Sequence, residues 1–236
     1  MILSVHVVIP ARDEQELLSR CLLAVRQAIA HATAVRPGLI CRATVVLDSC
    51  LDDSALVVAQ GGARALVVQH GLVGAARDSG ARVALAEDAA AGVPASRTWL
   101  ASTDADTVVP PHWISGQLAL AENYDAVIGT VQPLGLTDPQ LLAQWHLRHQ
   151  LREGHPHVHG ANLGVRGSTY LQIGGFRPIS SDEDVDLVRR IRARTDRWVA
   201  TDTVRADTSA RMQGRLRGGF SDYLTTLRGT VTEEAG

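Results

Sequence analysis

Short apolar runs alternate with amphipathic segments over the first hundred residues. The run at residues 4–9 is rich in β-branched side chains and ends at Pro10, which predicts a buried strand. The same reasoning predicts further strands at 43–47, 65–68 and 99–102, separated by helices at 14–30, 54–60 and 74–89. Strands and helices that alternate in this way form right-handed βαβ units. The sequence therefore predicts an α/β fold with a mixed, mainly parallel sheet flanked by helices.

The second half of the chain changes character and adds a less regular set of elements. Acids lead and arginines trail between Asp182 and Arg194, an order that suits the dipole of a helix. A final strand is expected after this helix. The other elements predicted here are helices at 112–122, 139–151 and 168–173, strands at 126–129 and 161–165, and a helix at 220–227 that follows an Arg/Gly-rich stretch.

Composition and charge exclude several classes of function. The chain has 236 residues and a net charge of −2, so no global positive field indicates nucleic acid as a partner. Its 23 basic residues are all arginine, which rules out a Walker lysine, a pyridoxal Schiff base and a kinase strand lysine. The three cysteines are odd in number and form no C-x-x-C pair, so neither a disulfide framework nor a zinc knuckle is indicated.

The apolar stretches are too short for targeting or membrane insertion. His6 interrupts the N-terminal run, Pro10 ends it and no basic leader precedes it, so we expect no signal peptide. No run approaches 18 apolar residues, so we expect no transmembrane segment. These features predict a cytoplasmic protein, with attachment at the membrane periphery left open.

Carboxylates cluster where the predicted strands end. Asp13 and Glu14 follow the first strand, Asp48 the second, and Asp104 and Asp106 the fourth. Parallel sheets bind ligands at the carboxyl ends of their strands. Two carboxylates two residues apart can converge on one divalent cation and a sugar hydroxyl, and Mg²⁺ and Mn²⁺ prefer such oxygen ligands.

Seven short motifs follow one another along the chain. They are VVIPARDE (7–14), VLDSCLDDS (46–54), GAARDSG (74–80), TDAD (103–106), GANLGVR (160–166), GGF (174–176) and EDVDL (183–187). Together, in this order, they resemble the family 2 inverting glycosyltransferases with the GT-A fold, a Rossmann-like architecture. The resemblance covers roughly residues 5–190.

The resemblance implies a nucleotide-sugar donor, with a UDP-sugar as the first expectation. It implies that Asp48 hydrogen-bonds the base, and that Arg77 contacts the base or the pyrophosphate. The residues that would line the base and ribose are Pro10, Ala11, Arg12 and Glu14. The chain departs from the family pattern at two positions that bear on which nucleotide is bound. Ser49 follows Asp48 where the family often has another acid, and Asp78 replaces a frequent asparagine.

The resemblance also implies which residues bind a divalent metal and which residue is the general base. Asp106 would hold Mn²⁺ or Mg²⁺, with Asp104 on the ribose or the metal, and Asp184 would be the general base with Glu183 as the next candidate. Many relatives carry a metal-binding histidine further on, where this chain offers Asp207. These roles agree with the chemistry, since an inverting transfer needs a carboxylate to deprotonate the acceptor hydroxyl and positive charge at the leaving diphosphate.

Several of these residues have simpler interpretations. Asp48 is also suited to capping a turn, and the acids at 182–184 to starting a helix. His155, His157 and His159 lie in a Gly/Pro-bounded loop without the cysteines or acids of a structural zinc site, which favours a solvated or acceptor-side loop. Within it, His159 adjoins the GAN motif, and Asn162 of that motif is placed with it on the acceptor side.

Three functions remain as hypotheses. The first is a metal-dependent inverting transfer of a sugar to an unidentified acceptor hydroxyl, on a small molecule or a lipid-linked acceptor. The second is a nucleotidyltransferase of the same fold, although the first loop lacks the glycines and lysine that cradle a triphosphate. The third is a non-catalytic nucleotide-sugar binding protein. A homodimer is left open.

The domain prediction follows from the motifs. Residues 1–206 form the catalytic domain, with a nucleotide-sugar-binding half at 1–107 and an acceptor-side half at 108–206. Residues 207–236 form a C-terminal segment in which Arg211 and Arg215 lie among glycines. Guanidiniums on flexible backbone suit a lid that closes on the donor pyrophosphate; a disordered basic tail is the alternative.

Overall fold

The computed structural model describes residues 1–210. The predicted helix at 220–227, Arg211 and Arg215 lie outside the described residues. The strands are β1 (Ser4–Ala11), β2 (Ile40–Asp48), β3 (Arg64–Val68), β4 (Thr98–Ser102), β5 (Thr107–Val108), β6 (Ala126–Leu134), β7 (Leu163–Arg166) and β8 (Trp198–Ser209). The helices are α1 (Leu18–Val35), α2 (Ser54–Gly61), α3 (Val73–Ala90), α4 (Trp113–Leu120), α5 (Pro139–Arg148), α6 (Gly167–Gln172) and α7 (Glu183–Arg194), with 3₁₀ turns at Ala95–Arg97 and Gly160–Asn162.

The strands form one sheet in the order β3-β2-β1-β4-β7-β6-β8-β5. Strands β3, β2, β1 and β4 run parallel, as the βαβ pattern predicts. Strand β7 is antiparallel to both β4 and β6, β8 is parallel to β6, and β5 is antiparallel to β8. The predicted fold class, a mixed and mainly parallel sheet flanked by helices, is confirmed.

Two hydrophobic layers cover the sheet because its central strands are apolar on both faces. On one face, Val5, Val7 and Ile9 of β1 belong to a core shared with the buried side of α1. On the other face, Val8 packs with residues of β2 and α3. A parallel strand buried in this way carries a nearly continuous apolar run, which is the pattern seen in the sequence.

The element boundaries differ from the predicted ones at two ends near the candidate site. Helix α1 begins at Leu18 rather than at Glu14, because the Glu14 carbonyl accepts hydrogen bonds from the backbone N–H groups of Leu17 and Leu18 and the chain forms a turn there. Strand β7 begins at Leu163 rather than at residue 161, since residues 160–162 form a 3₁₀ turn.

The last strand is longer than the domain prediction assumed. Strand β8 continues to Ser209, so the boundary set between residues 206 and 207 falls inside the strand. The boundary between residues 107 and 108 likewise falls inside β5. Both halves therefore contribute strands to a single sheet. In the described part of the chain, no helix has the length and apolar character that a bilayer crossing requires.

Candidate active site

The loops that follow β1 and β2 are hydrogen-bonded to each other at the carboxyl edge of the sheet. The Leu51 N–H donates to Asp13 Oδ1 at 2.6 Å, and the Glu14 N–H donates to Ser54 Oγ at 2.8 Å. Asp13 takes a positive φ of 54°, which turns the chain sharply after the strand. Pro10 and Ala11 end β1, while the Arg12 side chain is exposed. The predicted donor segment and the loop after Asp48 therefore share one edge.

Asp48 ends β2 and holds the loop that leads into α3. Its Oδ1 accepts hydrogen bonds from the backbone N–H groups of His70 (2.7 Å) and Gly71 (2.9 Å) and from the Ser49 hydroxyl (3.1 Å). Burial alone would raise the pKa of this carboxyl, but the N–H donors of Gly71 and His70 hold it below its ordinary value. The structure thus gives Asp48 a turn-holding role; its predicted contact with the base stays a prediction.

Arg77 lies near the start of α3 and is only 3% exposed. Its guanidinium donates to Asp104 Oδ1 at 2.5 Å and to Glu183 Oε1, and it also lies 5.6 Å from the centre of the Phe176 ring. A Cβ added at Gly160 would lie 2.5 Å from Nη2, so the glycine leaves room for the guanidinium. Arg77 therefore joins a carboxylate of the loop after β4 to one at the start of α7.

Two glycines of the GAARDSG motif explain how α3 brings Arg77 there. A Cβ at Gly80 would lie 2.6 Å from Val8 Cγ1 of β1, and a Cβ at Gly74 would clash with the Arg177 carbonyl and meet Glu183 Cβ at 3.0 Å. Helix α3 can therefore approach both the sheet and the start of α7 closely only because these positions lack side chains. Glycine at such sites permits close backbone packing.

The carboxylates of the Glu183–Asp184 pair have different surroundings. Glu183 is 7% exposed and is paired with Arg77, while Asp184 is half-buried. Asp184 Oδ2 accepts from the Gly160 N–H at 2.6 Å and Oδ1 from the Val185 N–H at 2.8 Å. Burial is the largest influence on both groups and raises the pKa of each, with Arg77 opposing it. Of the two, Asp184 is the one that faces outward.

Asp104 and Asp106 lie at the end of β4, as predicted, with their side chains half-buried. Asp106 Oδ1 lies 3.4 Å from the hydroxyls of Thr107 and Thr208. The pair offers carboxylate oxygens only, and this donor set fits Mn²⁺ or Mg²⁺. The identity of any metal stays a prediction.

Asp207, the predicted third ligand, bonds elsewhere. Its Oδ1 accepts from Gln132 Nε2 at 2.6 Å across the β6–β8 ladder. Within residues 1–210, Asp104, Asp106 and Asp207 do not form a group whose ligand atoms all lie within 4.8 Å of one another. The structure therefore does not bring the three predicted metal ligands together.

One other group has the spacing of a metal site: ligand atoms of Asp13, Cys50 and Asp52 all lie within 4.8 Å. Burial raises the pKa of the Cys50 thiol, whereas metals bind the thiolate. The thiol donates to the Ala11 carbonyl at 3.3 Å, and both aspartates accept backbone N–H groups of the facing loop. These hydrogen bonds between the loops after β1 and β2 explain why the three side chains lie close together.

The two residues predicted for the acceptor side, Asn162 and His159, have different surroundings in the structure. Asn162 is fully buried: its Nδ2 donates to the carbonyls of Thr130 and Val204, and its Oδ1 accepts from Trp113 Nε1 at 2.8 Å. It joins β6, β8 and α4, so its role is structural, in contrast to the predicted acceptor contact. His159 directly precedes Gly160, whose N–H binds Asp184.

Sequence reasoning missed two features of this region. Tyr170 donates its hydroxyl to Asp78 Oδ1 at 2.8 Å and accepts the Phe176 N–H at 3.0 Å, which fixes the GGF segment against α3. The ring of His149, directly after α5, stacks on Trp145 and on His157 of the loop at 155–159. The alternating histidines were visible in the sequence, but the stacking of His157 on His149 depends on how α5 packs.

Comparisons with known proteins support the fold described above. The family model for glycosyl transferase family 2 matches residues 6–177. Among curated protein sequences, none matches the chain.

Three solved structures show the same fold. TarS 1–349 of S. aureus in complex with UDP-GlcNAc has 13% identity and a TM-score of 0.63, with 90% of this chain and 60% of that chain covered. The mannosyltransferase PcManGT of Pyrobaculum calidifontis in complex with GDP-Man and Mn²⁺ has 16% identity and a TM-score of 0.63, with 89% and 58% covered. Glucosyl-3-phosphoglycerate synthase of Mycobacterium tuberculosis in complex with phosphoglyceric acid has 15% identity and a TM-score of 0.54, with 97% and 77% covered. The chain thus spans about three fifths of the first two.

Proposed function

The chain belongs to glycosyl transferase family 2, and on that premise we propose that it transfers a sugar, with inversion, from a nucleotide diphosphate donor to an acceptor hydroxyl. The observation that carries this proposal is the position of Asp184. Its carboxylate lies at the start of α7, held by the Gly160 N–H, and Arg77 links the preceding residue, Glu183, to Asp104 of the donor side. A base and a diphosphate site are needed together for this reaction.

Asp184 is the general base in this proposal. It takes the proton of the acceptor hydroxyl while that oxygen attacks the anomeric carbon, and the bond from this carbon to the diphosphate oxygen breaks on the opposite face. Glu183 is unsuited to the role because its carboxylate is buried against Arg77. The raised pKa of Asp184 suits a base that works near neutral pH, since proton transfer is efficient when the pKa lies near the working pH.

The donor side consists of the edge formed by β1, β2 and β4. Asp48 and the segment Pro10–Glu14 would contact the nucleoside, and Asp106 with Asp104 would hold Mn²⁺ or Mg²⁺. When bound, such a cation neutralises the charge that develops on the leaving diphosphate. UDP is the proposed nucleotide; TarS, of the same fold, is solved with UDP-GlcNAc, whereas PcManGT is solved with GDP-Man and Mn²⁺.

Incubation with candidate nucleotide sugars and Mn²⁺ tests the proposal. Slow donor hydrolysis to free sugar and nucleoside diphosphate, lost in Asp106→Ala, is the expected result. Release of pyrophosphate from a nucleoside triphosphate and a sugar phosphate would instead indicate a nucleotidyltransferase. Donor binding in calorimetry with no product of either kind, in the presence of a panel of small-molecule and lipid-linked acceptors, would leave a binding protein.

A further inference from the structure

Helix α5 has one face in the core and one in the solvent. Leu141 and Trp145, one turn apart, are buried and form a small apolar cluster with half-buried neighbours that include Ala210. Leu147 follows two residues after Trp145 and is 77% exposed. A single exposed leucine is ordinary on a protein surface, so its meaning depends on the side chains around it.

Two arginines lie next to this leucine in the chain. Arg148 ends α5 and Arg152 follows one turn later; both side chains are exposed, as is that of His146. Within residues 1–210, neither arginine forms an ion pair with a carboxylate. We call His146, Leu147, Arg148 and Arg152 the α5 patch. It combines an apolar side chain with two guanidiniums that no described carboxylate neutralises.

The carboxylate nearest to the α5 patch in the sequence is bound to another element. Glu153 Oε1 accepts hydrogen bonds from the Thr201 hydroxyl at 2.9 Å and from the Asp202 N–H at 2.8 Å, both on β8. The whole chain has a net charge of −2, so an anionic surface would repel it on average. Attraction to such a surface must come from a local excess of positive charge, and the α5 patch supplies one.

The chemistry of the α5 patch suits the boundary between lipid headgroups and acyl chains. A helix that lies in this boundary places apolar side chains among the acyl chains and arginines at the headgroups. The aliphatic stem of an arginine can rest on apolar surface while its guanidinium stays at the phosphate level. Each arginine close to an anionic leaflet increases the affinity about fivefold. Charge complementarity therefore favours a bilayer that contains acidic phospholipids.

The α5 patch is connected to the candidate base through one loop. His149, the residue after α5, stacks on His157 with 4.8 Å between the ring centroids. The loop that contains His157 continues into Gly160, whose N–H donates to Asp184 Oδ2 at 2.6 Å. The element that would meet a membrane is thus packed against the segment that holds Asp184.

We propose that the α5 patch docks the protein on a bilayer that contains anionic phospholipids, with Leu147 among the acyl chains and Arg148 and Arg152 at the headgroup phosphates. Docking there gives access to acceptors that are themselves lipid-linked, and this second part rests on the proposed function. The docking requires no donor, metal or turnover, so it can be measured separately.

Sedimentation of the full chain with lipid vesicles tests the docking. We expect binding to vesicles of phosphatidylglycerol and phosphatidylcholine, no binding to phosphatidylcholine alone, and weaker binding when the salt is raised from 0.1 M to 0.5 M. The double variant Arg148→Gln/Arg152→Gln should bind about 25-fold more weakly, and Leu147→Ser about 10–100-fold. No binding of the wild type to the anionic vesicles would overturn the inference.

Two variants on α1 are the matched controls. Leu23 is 48% exposed and Arg26 is also exposed, and α1 packs in the core with β1. Leu23→Ser and Arg26→Gln should bind the anionic vesicles as wild type does. Equal losses in these controls and in the α5 variants, or no loss in either α5 variant, would overturn the inference. Should Leu147→Ser misfold, the double arginine variant decides.

Other occupants of the α5 patch give different results, and each would overturn the inference. A lower urea midpoint of Leu147→Ser without vesicles would indicate that residues 211–236 cover the leucine. A dimer in light scattering that Leu147→Ser dissociates would assign the patch to a second copy of the chain. Binding to polyglutamate but not to anionic vesicles would indicate an acidic protein.

The proposed function fails by a separate result, the absence of transfer or hydrolysis with every donor tested. Vesicle binding with those assays negative would keep the docking surface and remove its link to an acceptor.

Discussion

Arg77 and Glu183 are 106 residues apart in the sequence, and their side chains form a buried ion pair. The other arm of the same guanidinium binds Asp104 at 2.5 Å. One cation thus fixes a carboxylate after β4 and another at the start of α7, and both carboxylates raise the pKa of the guanidinium against the effect of burial. Because this arrangement occupies Glu183, it supports the proposal that Asp184 is the base.

Replacing Arg77 tests whether this ion pair supports the fold. Arg77→Met leaves Glu183 buried without its partner, and we expect a loss of about 3–5 kcal/mol in the free energy of unfolding. Arg82→Gln, on the same helix, removes an exposed pair with Asp78 and should cost about 0–1 kcal/mol. Urea unfolding of both variants measures the difference. Equal losses would show that the buried pair contributes no more than a surface one.

Replacing Asp184 tests the assignment of the base. Asp184→Asn should leave donor binding unchanged and lower the transfer rate by about 10²–10⁴, the usual contribution of a positioned base. Because the base acts when ionised and burial raises its pKa, the wild-type rate should fall as the pH falls through a value above that of an ordinary aspartate. Transfer at the wild-type rate in Asp184→Asn would move the role to Glu183.

The metal assignment is tested by a pair of aspartates. Asp106→Ala should abolish the Mn²⁺-dependent part of UDP binding in calorimetry, since the diphosphate loses its counter-charge. Asp207→Asn should change that affinity less, because the Asp207 carboxylate is hydrogen-bonded to Gln132. An equal loss in Asp207→Asn would include Asp207 among the ligands, and unchanged Mn²⁺ dependence in Asp106→Ala would remove Asp106.

Asp48 is tested by separating its two roles. Asp48→Ala should weaken UDP binding by about 1–3 kcal/mol and also lower the free energy of unfolding, because the N–H groups of His70 and Gly71 lose their acceptor. Asp48→Asn keeps an oxygen at this position and should retain more stability. If Asp48→Ala loses stability but binds UDP as well as wild type, Asp48 only holds the turn.

The lowered pKa of His159 predicts a pH-dependent stability. The pKa of His159 is lowered to about 3 from an ordinary value of 6.5, so the unfolded state binds more protons between these values. Its contribution to stability is complete above pH 6.5 and is lost as the pH falls toward 3, by up to about 1.4 kcal/mol per pH unit. Urea unfolding at pH 7.5, 6 and 5 should show a shallower decline for His159→Gln than for wild type and for the control His31→Gln, which changes an exposed histidine of α1. Parallel declines would contradict a neutral His159 ring in the folded protein.

Much of the fold was accessible from the sequence because local patterns determine it. The β-branched run that ends at Pro10 predicted β1, and the parallel pairing of β1, β2 and β4 brings the acids after these strands to one edge of the sheet, as expected. What the sequence could not provide was the direction of individual side chains. The predicted contact of Arg77 with the base or the pyrophosphate stays a prediction. The ion pairs of its buried guanidinium with Asp104 and Glu183 were not predicted, because they depend on the close packing of α3 through Gly74 and Gly80.

Asn162 is a second residue whose contacts could not be predicted from the sequence. It lies in a motif that was assigned to the acceptor, and its amide instead joins three elements whose packing is decided by residues far away in the chain, including Thr130 and Val204. The 3₁₀ turn that carries it has no propensity signal of its own. Long-range packing, rather than local propensity, decided both cases.

Because the chain is synthesised from its N-terminus, the two carboxylate partners of Arg77 become available at different times. A ribosome completes β1 to β4, with Arg77 and Asp104, well before it adds Glu183. Until α7 docks, the guanidinium has one of its two carboxylate partners, and a chain released early would leave the Nη1 arm of Arg77 without its acceptor. Truncation between residues 110 and 180 should therefore yield fragments that chaperones retain and proteases clear. In such fragments Arg77 could pair with Asp104 but not with Glu183.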